Sequence, residues 1–143
     1  MIDVADRYPG AASLQEYGVV VDVEFSAMQA DGSFSEPMTV KFLVDTGATM
    51  SAIRPTIAQQ TTPFAHTDRF VAFGIDGKVD VQTFTGILAF GEGDGARKSA
   101  KQMAIQTLPN GANDYDGILG RDFLRMLVMT YDGPAGHFTI GCP

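Results

Sequence analysis

Phe42-Leu43-Val44-Asp45-Thr46-Gly47-Ala48-Thr49-Met50-Ser51 is the stretch on which the reading of this chain turns. An apolar run carries one aspartate into a tight turn, and an alternating segment follows. A carboxylate at the end of an apolar strand is costly unless it is hydrogen-bonded, paired or neutralised. Such a position is a functional-site candidate on physical grounds. The tripeptide Asp45-Thr46-Gly47 by itself is a weak signal, expected by chance in roughly a few per cent of chains this long. Its context strengthens it, because a second apolar-to-glycine element lies downstream at Asp116-Gly117-Ile118-Leu119-Gly120-Arg121-Asp122-Phe123-Leu124.

Around these two elements the chain reads as all-β. Turn signals recur at Asp31-Gly32, Asp76-Gly77, Asp94-Gly95, Asn110-Gly111 and Asp132-Gly133, with alternating runs between them. Residues 17–28 form a strand with Val19, Val21, Val23 and Phe25 on one face and Asp22 and Glu24 on the other. Residues 37–44 form a second strand. A short strand near 51–54 precedes Pro55, which suits the first turn of a helix or a loop through about residue 60. Residues 69–74 and 78–90 read as a hairpin with an Asp76-Gly77 apex. Strands follow at 99–107 and 117–120. Arg121 to about Met126 is the one convincing helix, and 127–131 with 137–142 closes the chain as a hairpin. Residues 1–16 show little alternation and read as a loosely held N-terminal arm on a domain spanning 17–143.

Composition narrows the function. A chain of 143 residues fits one domain with a real core. The formal net charge of −7 argues against nucleic acid as a partner, because phosphate binding needs a cationic surface. No apolar run approaches the roughly 20 residues that span a bilayer, and the first residues carry no signal-peptide pattern. The compartment stays open, with the cytoplasm compatible. The single cysteine, Cys142, can form no intrachain disulfide. No His/Cys cluster has metal-ligand spacing, so neither a metal nor a cofactor is expected.

Together, Leu43-Val44-Asp45-Thr46-Gly47-Ala48, the following Ser51-Ala52-Ile53, and Gly117-Ile118-Leu119-Gly120-Arg121-Asp122-Phe123-Leu124 resemble the two ordered motifs of retropepsin-like aspartic proteases. The hairpin at 70–84 falls between them, where that family has its flap. The resemblance covers roughly residues 17–142. It implies a single acid-protease lobe: a closed or partly open β-barrel of hairpins with one short C-terminal helix, working as a C2 homodimer. It also implies an aspartic endopeptidase acting on a peptide or protein substrate.

In that chemistry two carboxylates share one proton. One takes a proton from the attacking water, and the other polarises the scissile carbonyl and protonates the leaving nitrogen. The chain has one Asp-Thr-Gly and is too short for two lobes. The resemblance therefore implies a dyad of Asp45 from each of two subunits. Thr46 would bond across to the partner loop, and Gly47 would let the substrate backbone approach. Ala48 would belong to the same loop, with Ile118, Leu119 and Gly120 packed beneath it. Thr49 stands where retroviral members carry an acidic residue, as a polar handle on substrate. Phe73, Gly74, Ile75 and Asp76 at the hairpin tip would close over the peptide.

Asp122 reads as a helix-start residue or a partner for Arg121, and the resemblance implies that Arg121 makes a structural bond near the catalytic loop. The resemblance also implies a dimer interface of terminal strands, for which residues 137–142 are the natural candidate and the arm at 1–16 the second. Two other readings compete. One is a dimeric peptide-binding or assembly module that keeps the fold but cleaves little. The other is an aspartyl-phosphate enzyme, disfavoured because this chain lacks the helices of a doubly wound domain.

Overall fold

The computed structural model describes residues 2–3, 11–59, 68–74, 77–91, 98–108 and 115–143. Its elements are β1 (Ile2–Asp3), α1 (Ala11–Tyr17), β2 (Val20–Ala27), β3 (Met38–Val44), β4 (Ala52–Ile53) and α2 (Pro55–Gln59). They continue as β5 (Asp68–Gly74), β6 (Gly77–Gly91), β7 (Lys98–Thr107), β8 (Gly117–Leu119), α3 (Arg121–Leu124), β9 (Val128–Asp132) and β10 (His137–Gly141). The all-β expectation holds, and the expected strands are present.

Alternation in the sequence becomes alternation in burial. In β2, Val21, Val23 and Phe25 face the core while Asp22 and Glu24 face solvent. In β3, Val40 and Phe42 point inward while Thr39 and Lys41 point outward. Phe25, Phe42, Phe90, Phe123, Ile105 and Leu119 are fully buried. The Phe25 and Phe84 rings meet edge to face at 6.0 Å, an arrangement the aromatic quadrupole favours.

The main sheet has the order β2-β3-β8-β4-β7-β6-β5, and β2 also pairs with β6. That extra pairing closes a barrel from β2 round to β6, with β5 lying outside it as the second arm of the β5–β6 hairpin. Closure matters for the site because it fixes β3 between β2 and β8. The β3–β8 pair is parallel, with Phe42 opposite Gly117, Leu43 opposite Ile118 and Val44 opposite Leu119. The two motifs therefore run side by side in the same direction and end at the same rim. A smaller sheet has the order β1-β10-β9.

The structure departs from the sequence reading in three places. First, α1 is a helix where none was expected. It spans 7 residues, too short for a clear apolar stripe, and Leu14 anchors it in the core. Residues 2–3 also pair with β10, so the arm over 1–16 touches the domain at two points. Second, the hairpin register sets Gly74 opposite Gly77. Gly77 is thus a strand residue rather than the second half of an Asp76-Gly77 apex. Third, β10 lies between β1 and β9 of its own chain, so the strand expected at a dimer interface has partners on both sides here.

Candidate active site

The site begins with the end of β3. Val44 is the last paired residue, and Asp45 carries the chain out of the sheet. Its backbone stays tied to the second motif, because Asp45 N–H donates to the Leu119 carbonyl at 3.0 Å. The turn then closes on itself. Ala48 N–H donates to the Asp45 carbonyl at 3.2 Å, and Gly47 N–H donates to Asp45 Oδ1 at 2.9 Å. Asp45 is half-buried, and no second carboxylate among the described residues bonds to it. Thr46, Gly47 and Thr49 are exposed on the same turn.

Beneath the turn, β8 supplies the floor. Leu119 is fully buried, and Ile118 sits between Leu43 of β3 and Ala52 of β4. Gly120 follows where the chain passes close against Met50 and Ser51 of the loop after Asp45. A Cβ there would stand 2.6 Å from the Met50 carbonyl carbon and 2.7 Å from its oxygen, inside any real contact distance. Only glycine fits this crossing, and that explains the residue at the end of the second motif.

The start of α3 then ties down the rest of the loop. Arg121 N–H donates to the Ala48 carbonyl at 2.9 Å, and Asp122 N–H donates to the Thr49 carbonyl at 3.2 Å. The Arg121 guanidinium reaches the Thr46 carbonyl at 2.6 Å and Thr49 Oγ1 at 3.1 Å. Arg121 therefore bonds the loop that follows Asp45, and it does not pair with Asp122. The Asp122 carboxylate turns the other way. It accepts from Ser51 N–H at 3.1 and 2.9 Å, from the Ser51 hydroxyl at 2.7 Å and from Phe123 N–H at 2.8 Å. Ser51 Oγ in turn accepts from Gly120 N–H at 2.9 Å. Ser51 is fully buried.

The structure thus brings Asp45, Thr46, Gly47, Ala48, Thr49, Ile118, Leu119 and Gly120 together at one rim of the barrel. The hairpin residues are placed less fully. Phe73 and Gly74 end β5, with backbones opposite Lys78 and Gly77. Ile75 and Asp76 lie outside the described residues. Sequence reasoning did not foresee the Ser51–Asp122 link. Its only signal was a hydroxyl residue at the end of the first motif and an acidic one just after the second. Among the described residues no group of His, Cys, Asp or Glu could hold a metal, and no helix is long and apolar enough to cross a membrane.

Residues 16–131 match the family described as retroviral aspartyl protease. No curated protein matches the chain. Among solved structures, a similar chain is that of the EIAV protease complexed with the inhibitor HBY-793. It shows 20% sequence identity over 74% of this chain and 84% of that one, with a TM-score of 0.47. The family match covers most of the sequence and contains both ends of the β3–β8 pair, with the aspartate turn and the glycine beneath it. The chain belongs to the retroviral aspartyl protease family and is an aspartic endopeptidase.

Proposed function

We propose that this protein hydrolyses peptide bonds as a C2 homodimer, with Asp45 of each subunit forming the catalytic dyad. The observation that carries this reading is the state of Asp45 within one chain. It is held by Gly47 N–H and Leu119 O at the rim of the barrel, half-exposed, with no carboxylate partner among the described residues. A single carboxylate cannot both activate water and protonate a leaving nitrogen in one step. Two carboxylates about 3 Å apart divide that work, because electrostatic repulsion leaves one of them protonated. A two-fold axis at the turn supplies the second.

In this reading one Asp45 takes a proton from the water that attacks the scissile carbonyl. The protonated Asp45 of the other subunit donates to the carbonyl oxygen as the tetrahedral intermediate forms. A proton then passes to the amide nitrogen, and the C–N bond breaks. Water is the nucleophile, so the chemistry itself calls for no metal or cofactor. Thr46 joins the two loops, exposed Gly47 lies against the substrate backbone, and Thr49 offers a neutral polar contact. Ala48, Ile118, Leu119 and Gly120 hold the loop. Phe73, Gly74, Ile75 and Asp76 form a flap that opens for entry and closes over the peptide. Residues 17–143 make up the protease domain, with 1–16 as an arm.

The test is Asp45→Asn assayed against a peptide library beside the wild type. Cleavage lost with the dimer intact supports the dyad. Wild-type protein that is dimeric yet cleaves nothing between about pH 3 and 7 would favour the peptide-binding module instead. Inhibition of the wild type by a statine-type mimic of the tetrahedral intermediate is an independent check.

A further inference from the structure

We propose that Asp122 is a positioning residue for the reaction, acting on Asp45 through Ser51. The inference rests on the reading of Asp45 as the catalytic residue.

The loop from Asp45 to Ser51 must be held at both ends to keep a carboxylate in one place. Its first end is fixed by the β3–β8 register and by Asp45 N–H on Leu119 O. Its second end reaches strand pairing at Ala52, and just before it the Ser51 carbonyl accepts from Gln106 N–H of β7 at 3.0 Å. There, Ser51 does the holding, and every polar group of its N–H and hydroxyl is engaged. Gly120 N–H can only donate, so Ser51 Oγ accepts from it and must send its own proton to Asp122 Oδ1. Ser51 N–H points between both Asp122 oxygens. The chain of bonds has one direction, and a carboxylate is the only protein side chain that ends it with acceptors on both sides.

Asp122 is also well braced. Its N–H holds the Thr49 carbonyl, its carboxylate caps Phe123 N–H, and Lys101 Nζ from β7 donates to its carbonyl at 3.0 Å. A residue fixed to β7, α3 and the loop together can transmit barrel rigidity to the turn. Bonds to charged groups are the stronger kind, and those from a fully buried partner are not traded for water.

The consequence is kinetic. A loop end released by about an ångström leaves the substrate cleft in place but spoils the alignment of the reacting carboxylate, worth up to about 100-fold in rate. The experiment measures kcat and KM for wild type, Asp122→Ala and Asp122→Asn, as full-length protein. Folded dimer is quantified by circular dichroism and sedimentation, and active sites by titration with a statine-type inhibitor. The expected result is a fall in kcat of about 10- to 100-fold per folded dimer in Asp122→Ala, with KM within about threefold. Asp122→Asn keeps an acceptor at one oxygen but sets an amide N–H against Ser51 N–H at the other. It should recover part of the loss. If Asp122→Ala does not fold, Asp122→Asn carries the test, with a several-fold fall in kcat expected.

An unchanged kcat per folded dimer in the variants overturns the proposal, as does a loss that only tracks the folded fraction. Wild-type protein that cleaves nothing instead overturns the dyad reading on which this one rests. The two failures are thus told apart by the wild-type lane.

Discussion

The residues that make the site work are chosen by what they exclude as much as by what they contribute. Gly120 excludes a side chain from the crossing with Met50. Gly120→Ala should therefore destabilise the fold by about 1–3 kcal/mol, read as a lower urea midpoint at unchanged slope. Ser51→Ala should cost a similar amount, because Gly120 N–H and Asp122 lose a buried partner that water cannot replace. Ala48 offers no hydroxyl to the carboxylate loop. A hydroxyl there would bond the carboxylate and favour its charged form. Activity should accordingly persist nearer neutrality than in enzymes carrying Ser or Thr at that place, and Ala48→Thr should move the pH–activity optimum toward acid. A wild-type profile confined below about pH 4 would contradict this. At this scale the sequence was legible wherever a residue type carries its own chemistry, as Asp45 does. Ser51 and Asp122 were harder, because their pairing joins residues 71 positions apart, and neither has a local pattern that announces the other.

Among the elements, β8 is short for the work it does. Its 3 residues lie between β3 and β4, beneath the Asp45 turn. Leu119 is fully buried there, and its carbonyl holds Asp45 N–H. Leu119→Ala should cost about 2–5 kcal/mol of stability from the cavity it opens, measured by chemical denaturation. It should also depress activity at temperatures where the variant remains folded. Strands were readable from period-two alternation because one face of each packs on the core. Two element-level features were not. Among the described side chains of helix α1, Leu14 alone is buried, and an isolated helix of that length is not stable in water. The hairpin register depends on pairing across β5 and β6, and the Asp-Gly dipeptide is only a local turn preference.

For the whole molecule, the expected behaviour is that of half an enzyme. If each subunit supplies one Asp45, specific activity should fall on dilution as the dimer dissociates, and the fall should coincide with monomer appearance in sedimentation. The net charge of −7 makes two subunits repel, so moderate salt should shift that transition to lower protein concentration. Activity independent of concentration down to the point of full dissociation would remove the shared site. The fold class was open to reading from the sequence because hairpins and turns are local. The resemblance implied a closed or partly open barrel, but the pairing of β2 with β6 that closes it was not readable, since no local signal marks which strands meet last.

One feature of the architecture bears on how the chain comes into being. Thr46 is held by Arg121, 75 residues further along. A ribosome delivers the aspartate turn long before it delivers the floor and the bracing helix. Contacts of such wide separation form late, since closing the loop between them costs entropy before any contact rewards it. A nascent chain therefore carries Asp45 in an unformed turn until the segment through α3 has emerged and docked. If Asp45 is the catalytic residue, a chain stalled before α3 emerges should show no cleavage, and release of the full chain should restore it.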